Sequence, residues 1–339
     1  MNVYYRPIVQ TDAVRPSNAI TVAGGWGWFI QAERINRNSA SELVDIADIP
    51  QATIEAISAP RAPMAGLHFN APRLMGILNV TPDSFSDGGH FHSPEAALSH
   101  ARQMETSGAD MIDIGGESTR PGAEAVPIDL EISRTKPVIA AIRSGSELPI
   151  SIDTRKTEVA EAALAEGANL VNDVSALTFD RTLANLAARD TVPVCLMHAQ
   201  GDPKTMQAAP KYDNVLLDVF DFLSERVDAA VAAGIPRNQI MIDPGIGFGK
   251  TVDHNLTLLR GISLFHSLGC VILLGASRKR FIGTVGNAPS AEDRAPGSIA
   301  VALAAVLQGV QVIRVHDIKE TRQALSLLNA VQNIEQGQK

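Results

Sequence analysis

From about residue 72 onward, short apolar runs alternate with longer segments of helical period. The runs are Leu74–Val80, Asp110–Ile114, Pro149–Asp153, Asn169–Asn172, Val192–Met197, Gln239–Asp243, Cys270–Gly275 and Val310–Val315. Eight such runs, each followed by a helical pattern, predict an α/β fold of the closed (β/α)8 TIM-barrel type. The spacing suits right-handed crossovers. The helices carry their own punctuation. Ser93-Pro94 reads as N-cap and first helical residue, with Gly108 as the stop. Glu158–Glu166 runs to Gly167 in the same way, and the long amphipathic Asp213–Ala233 ends at Gly234 before Pro236.

Residues 1–71 differ. They mix polar and apolar residues without clear period and carry Pro7, Pro16, Pro50, Pro60 and Pro63. We read 1–71 as an N-terminal extension and 72–339 as the barrel. Both tryptophans fall in Gly24–Phe29. That stretch reads as a binding loop or, better, as aromatic anchors by which the extension packs on the barrel.

Composition narrows the class. The chain is 45% hydrophobic and only 4% aromatic, rich in the small branched residues of buried parallel strands. A net charge of −8 argues against a nucleic-acid or acidic-membrane partner. No apolar run is long enough to span a membrane, and the N-terminus lacks a signal-peptide pattern, so a cytoplasmic protein is expected. Cys195 and Cys270 sit in apolar runs and read as inert buried thiols.

In such a barrel, chemistry collects at the C-terminal ends of the strands. Polar residues stand there: Asn79, Asp113, Asp153, Asn172-Asp173, His198, Asp243, Ser277-Arg278-Lys279 after Gly275, and Arg314 with His316. A lone Asp after a strand is usually a turn residue. A polar residue at the same end of eight consecutive strands is harder to explain that way. Asp153, Asn172 and Asp243 suit a flat heterocycle with several ring N–H groups, and Lys279 could bond its carbonyl. Arg314 and His316 face one side and, with Arg120, suit a phosphate or pyrophosphate. Asn79 is a neutral oxygen ligand for a phosphate-bound Mg2+. Ser277 and the helix start after it could hold an anion.

Gly245–Thr251 fails two phosphate tests. Pro244 stands where a P-loop needs its first glycine, and Lys250 where a dinucleotide fingerprint needs its third. Small residues there would let a planar ligand approach. The loops Thr81–His92 and Gly115–Ala125 are long for their position and read as mobile lids or as surface variation.

Met75-Gly-Ile-Leu-Asn-Val-Thr-Pro-Asp-Ser-Phe-Ser-Asp-Gly-Gly89 closely resembles the first signature of the dihydropteroate synthases. Asp113-Ile-Gly-Gly-Glu-Ser-Thr-Arg-Pro-Gly122 resembles the second. Segments around Asp153-Thr154, Asn172-Asp173, Met197-His198, Asp243-Pro244-Gly245, Ser277-Arg278-Lys279 and Arg314-Val315-His316-Asp317 match in order, so the likeness spans roughly residues 73–332.

The resemblance implies condensation of 4-aminobenzoate with 6-hydroxymethyl-7,8-dihydropterin diphosphate, giving 7,8-dihydropteroate and pyrophosphate in folate synthesis. It implies that Asp153, Asn172, Asp243 and Lys279 bind the pterin, with Met197 and Phe248 shaping its slot. Asn79 (through Mg2+), Arg314 and His316 would hold the diphosphate. Thr119, Arg120 and Pro121 would lie on a mobile loop near both substrates, with Ser277 near the aminobenzoate carboxylate. Gly275 and Val315 complete the substrate-binding set. Asp153, Lys279, Arg314 and His316 are the catalytic candidates, and Asp113 and His198 become supports.

An allylic-type methylene suits a dissociative route, with Asp153 stabilising the cation. The aromatic amine is already neutral, so no dedicated base is needed. The resemblance further implies a homodimer and, since both loop signatures are intact, sulfonamide sensitivity. The length of residues 1–71 departs from the family. A methyltetrahydrofolate-binding methyltransferase domain shares the pterin set but has no need of Asn79, Arg314 and His316. A catalytically dead pterin-binding protein should lack loop or phosphate residues, and none is missing here.

Overall fold

The structure is a computed structural model and describes residues 3–81, 94–118, 123–201, 206 and 209–332. The extension holds β1 (Val3–Pro7), β2 (Ile20–Thr21), β3 (Trp28–Phe29), β4 (Gln31–Asn36), β5 (Ser39–Asp45) and α1 (Gln51–Ser58). The barrel strands follow: β6 (Arg73–Asn79), β7 (Met111–Gly115), β8 (Ile150–Asp153), β9 (Leu170–Asp173), β10 (Val194–Met197), β11 (Ile240–Asp243), β12 (Val271–Leu274) and β13 (Val312–Val315). They form a closed parallel barrel in sequence order, sealed by pairing of β13 with β6. Each coincides with one expected apolar run to within two residues at either end.

The covering helices are α2 (Pro94–Thr106), α3 (Ile128–Arg143), α4 (Thr157–Ala165), α5 (Thr182–Asp190), α6 (Val215–Ala232), α7 (Val252–Arg260), α8 (Arg280–Val285), α9 (Ala295–Val306) and α10 (Ile318–Val331). The expected stops Gly108, Gly167 and Gly234 all adopt positive φ, as residues that end a helix do. The cap of α6 is Asn214, one residue after the expected start; its side chain accepts from the Leu217 N–H at 3.2 Å. Ser93, the expected cap of α2, lies outside the described residues.

Strand residues alternate between two environments because successive side chains leave opposite faces. Leu74, Ile112, Ile150, Val171, Val194 and Ile242 face outward into the large cluster beneath the helices. Met75, Met111, Leu170, Cys195, Met241, Leu273 and Val312 face inward and form the barrel floor. Met64, Leu67 and Phe69 pack into that floor from the segment just before β6. The N-terminal end of the barrel is thus plugged by the chain that leads into it.

The extension is ordered where no period was legible. β1, β4 and β5 form an antiparallel sheet, with β4 and β5 joined as a tight hairpin. Charged residues such as Arg34 and Glu42 fill its outer positions, and only Tyr4, Pro7, Ala32, Ile35 and Val44 are buried, without a period of two, so its hydrophobic signal is thin. Trp26 ties the extension to the barrel, donating from Nε1 to the Val306 carbonyl at 2.8 Å. The Trp28 indole stays inside the extension and donates to the Asp12 carbonyl at 2.9 Å. Tyr4 donates to Asp221 at 2.9 Å, and Arg37 pairs with Asp218 and Asp221 at 2.7 Å each. Both cysteines are buried, and burial pushes their thiols up, Cys270 to about 11.

Phe69 is 3% exposed, so Phe69→Ala should open a cavity in the floor and cost about 3–5 kcal/mol in denaturant unfolding. A loss under about 1 kcal/mol would mean that the floor does not depend on this plug.

Candidate active site

The alternation that builds the floor also builds the mouth. Two residues beyond Met111, Leu170, Met241 and Val312 on the same inward face stand Asp113, Asn172, Asp243 and Arg314. Ser151, buried at the floor level of β8, precedes Asp153 by the same step. Register brings these strand ends together without setting them level: Asp113 pairs with Ser151, Asp153 with Asn172, Asn172 with Cys195, and Met197 with Asp243. Asp173 points the other way and closes a turn, accepting from the Ser175 and Leu177 N–H groups. It is therefore not part of the ring.

Arg314 organises one side. Its Nε donates to Asp113 at 2.6 Å and its Nη2 to Asp153 at 3.0 Å. Asn172 donates to the same Asp113 oxygen at 3.1 Å. The other Asp113 oxygen makes no hydrogen bond to the described residues. Two buried carboxylates thus share one guanidinium. Burial and the adjacent Asp113 carboxylate push Asp153 up to about 8, with Arg314 opposing the rise. The expected division into a heterocycle side and a phosphate side is less clean than the residue types implied. Arg314, assigned to the second, is bonded to Asp153 of the first.

The opposite wall rests on Asp243. Its carboxylate accepts from the Gly245 N–H at 2.7 Å, and burial raises it above the usual carboxylate range. Lys279 lies close by, donates to the Ile246 carbonyl and stands 4.4 Å from the centroid of the Phe248 ring. Burial lowers its ammonium to about 8, with Asp243 opposing the fall. The glycine loop after β11 answers first to the protein's own packing. A Cβ on Gly245 would lie 1.8 Å from the His198 carbonyl oxygen, and one on Gly247 would lie 2.9 Å from Lys279 Cδ.

Ser277 and His316 meet across β12 and β13, Oγ to Nδ1 at 2.9 Å. Between Ser277 and Lys279, Arg278 takes a left-handed φ of 56°, and its N–H donates to Ser298 at 2.8 Å while its side chain pairs with Asp317 at 3.1 Å. That local strain of about 1–3 kcal/mol lets Ser277 and Lys279 serve different parts of the mouth. Asn79 ends β6 beside Gly115, where an added Cβ would lie 3.3 Å from its Oδ1. Gly275 gives room at Asp243, since a Cβ there would lie 3.3 Å from Asp243 Oδ2. Val315 is a correction: it belongs to the outward layer beneath the helices, so its side chain faces away from the mouth. Thr119, Arg120 and Pro121, with most of the Thr81–His92 loop, lie outside the described residues.

One network escaped the sequence reading because its partners come from separate elements. Lys156 Nζ donates to Glu117 at 3.0 Å, Glu131 at 2.6 Å and the Val126 carbonyl at 2.7 Å. Glu117 also accepts from the Val126 N–H at 2.8 Å and from Arg155 at 3.1 Å. Burial pushes Glu117 up, but these donors outweigh it and hold the carboxyl below its usual range. Glu117 and Val126 flank the segment that carries Thr119–Pro121. An open hollow of about 810 Å3, lined by Gln200, Tyr212, Phe222 and His254, lies beside the mouth and shares with the ring only His198.

An inward set of carboxylates, an amide, a buried lysine and a shared arginine above a packed floor is a pocket for a small, hydrogen-bond-rich ligand. Residues 75–316 match the family of the pterin binding enzymes, and the chain belongs to that family. Within it, the similarity is to dihydropteroate synthases, transferases of folate synthesis. The Escherichia coli (strain K12) dihydropteroate synthase is 46% identical over 264 residues, covering 78% of this chain and 93% of that protein. Its Synechocystis counterpart is 45% identical, over 76% of this chain and 89% of that one. A Yersinia pestis dihydropteroate synthase structure with a sulfonamide drug complex superposes at a TM-score of 0.77 with 43% identity, covering 80% of this chain and 99% of that one. A Xanthomonas albilineans dihydropteroate synthase with 4-aminobenzoic acid gives 0.75 and 46%, covering 80% and 97%. The same enzyme with 7,8-dihydropteroate gives 0.71 and 43%, covering 79% and 97%.

Lys156→Met would leave Glu131 without its cation and Glu117 with Arg155 alone, although their side chains are 1% and 4% exposed. We expect a loss of about 3–5 kcal/mol, read from urea unfolding at pH 7. A change within about 0.5 kcal/mol would show that the two carboxylates find other partners.

Proposed function

We propose that this chain condenses 4-aminobenzoate with 6-hydroxymethyl-7,8-dihydropterin diphosphate, releasing pyrophosphate. The observation that carries the reading is the convergence of Asp153, Asn172, Asp243 and Lys279 in one mouth, with Arg314 bonded across to Asp153. Ring N–H groups of the pterin find acceptors in Asp153, Asn172 and Asp243, and its carbonyl finds the Lys279 ammonium. Met197 and Phe248 close the slot. Relatives crystallised with 4-aminobenzoic acid and with 7,8-dihydropteroate support the same substrate pair.

The route we favour is dissociative. Loss of pyrophosphate from the pterin methylene leaves a delocalised cation, and Asp153 is placed to stabilise it. In the free site burial and Asp113 hold Asp153 toward its protonated form. A positive charge forming beside it favours the carboxylate form, so the electrostatic stabilisation is carried by sites in which Asp153 is already ionised. Arg314 and His316 take up the negative charge of the leaving group, with Ser277 and the Thr119–Pro121 segment beside the aminobenzoate. Asn79 supplies one neutral oxygen at the mouth. The described residues contain no cluster of three or more acidic, His or Cys ligands, so Mg2+ would be held by Asn79 together with the substrate's phosphates and water. It would supply Lewis-acid stabilisation of the departing pyrophosphate.

A homodimer fits the apolar side chains left on the surface of α8 and α10, where Val285, Leu327 and Val331 are 61%, 63% and 79% exposed. Among the described residues no helix is long and apolar enough to cross a membrane, in keeping with the cytoplasmic placement we propose.

The test is pyrophosphate release by the purified chain. Release is expected only with both substrates and Mg2+ present, and a sulfonamide should compete with 4-aminobenzoate. Release that does not depend on 4-aminobenzoate would overturn the assignment. A second outcome follows from Lys279, which is charged below about pH 8 and neutral above it. As pH rises through that value its positive charge is lost, so kcat/KM for the pterin diphosphate should fall along an alkaline limb near pH 8. Lys279→Arg should move the limb upward; a limb left in place would assign it to another group.

A further inference from the structure

Lys250 is a buried amine for which the reaction as proposed has no direct use. It is 3% exposed. Its Nζ lies 2.8 Å from His198 Nδ1, 3.0 Å from the Phe248 carbonyl and 3.4 Å from the His198 carbonyl. Burial, and next the charge of Lys250, lowers His198 to about 2, so the imidazole is neutral, and in the tautomer protonated at Nε2 its Nδ1 accepts from Lys250. Lys250 therefore donates to the chain end of β10 and to the glycine loop after β11 at once.

Both partners frame the pterin wall. The His198 N–H donates to the Asp243 carbonyl at 3.0 Å, extending the ladder between β10 and β11 to the residue that carries the carboxylate. The His198 ring is backed edge-on by Phe222, with centroids 4.8 Å apart. On the loop, the Phe248 ring lies against the Lys279 ammonium and the Ile246 carbonyl accepts from it. Tyr212 adds a second tie, donating to the Gly249 carbonyl at 2.8 Å.

We propose that Lys250 is the positioning residue of this wall: by cross-linking His198 to the Phe248 carbonyl it fixes the loop that holds Lys279 in register. It touches no substrate and acts through Phe248, Ile246 and Lys279. The inference rests on the pterin reading of that wall. A methionine at 250 would fill similar space but offer no donor, leaving the buried His198 Nδ1 unpaired and cutting the tie to the Phe248 carbonyl.

The test is calorimetric binding of the pterin diphosphate to the full chain, with steady-state KM values for both substrates. Lys250→Met should weaken pterin binding about tenfold, the scale for one buried acceptor left unpaired, and change the KM for 4-aminobenzoate by less than about twofold. In a Phe248→Ala background the same change should cost under about twofold more, because the two residues act in one chain of contacts. Equal losses for both substrates, unchanged pterin affinity or additive effects would overturn the role. Should Lys250→Met not fold, Lys250→Leu, which likewise offers no donor, is read by the same criteria. Asp243→Asn separates the two claims. If it leaves pterin affinity unchanged, the pterin wall itself is wrong; if it weakens binding and the Lys250 variants do not, only the positioning role fails.

Discussion

Closing eight parallel strands into a barrel forces every second side chain inward, and the inward face here carries two main layers. At one level it carries Met75, Met111, Leu170, Cys195, Met241 and Val312, which pack with Met64, Leu67 and Phe69. One pleat further on it carries Asp113, Asp153, Asn172, Asp243 and Arg314. A shift of one residue in β7, β8 or β11 would place a carboxylate under the helices and an isoleucine in the mouth. The function of the mouth therefore depends on the register of the floor. The plug from the extension matters for the same reason, because it fills the end of the barrel where no chemistry takes place.

Burying that ring creates an electrostatic problem that the structure solves only in part. Asp113 and Asp153 share the single guanidinium of Arg314, and burial lowers Lys279 to about 8 against the pull of Asp243. Asp153 is consequently held toward its neutral form, poised to ionise when positive charge arrives. A ligand rich in N–H donors, carrying a diphosphate that can draw on Arg314, meets both unmet needs. The remaining polar groups are clamped. Asp173 closes a turn, Asp317 holds Arg278, and the Lys156 network holds Glu117 and Val126 on either side of the Thr119–Pro121 segment.

The barrel and its ring were legible because both follow from a period of two and a period of 3.6, and those periods survive in a single sequence. Asn172 and Asp173 could not be told apart that way, since they are neighbours at a strand end and only the pleat decides which faces in. Val315 came in with the family's site residues, although the alternation that turns Arg314 and His316 inward turns its side chain outward. The extension was opaque because its strands bury so few side chains that no period emerges, and its order comes from contacts such as Trp26 with Val306 and Arg37 with Asp218 and Asp221. Lys156 and Lys250 were invisible as structural residues. Each gains its meaning from partners far along the chain or from a fold-dependent burial, and a lysine in a loop reads by default as solvated. The glycines of 245–249 were seen, but as room for a ligand, whereas Gly245 is required by the His198 carbonyl it crosses.

The central claim is that the inward ring binds the pterin with its N–H edge toward Asp153, Asn172 and Asp243. The most direct measurement is a crystal structure of this chain with the pterin diphosphate and Mg2+ bound. The account predicts the ring system between Phe248 and Met197, within hydrogen-bonding distance of those three side chains and of Lys279, with the diphosphate toward Arg314 and His316. Density for the pterin in the flanking hollow by Tyr212 and His254, or in the mouth without contact to Asp153 and Asp243, would contradict it.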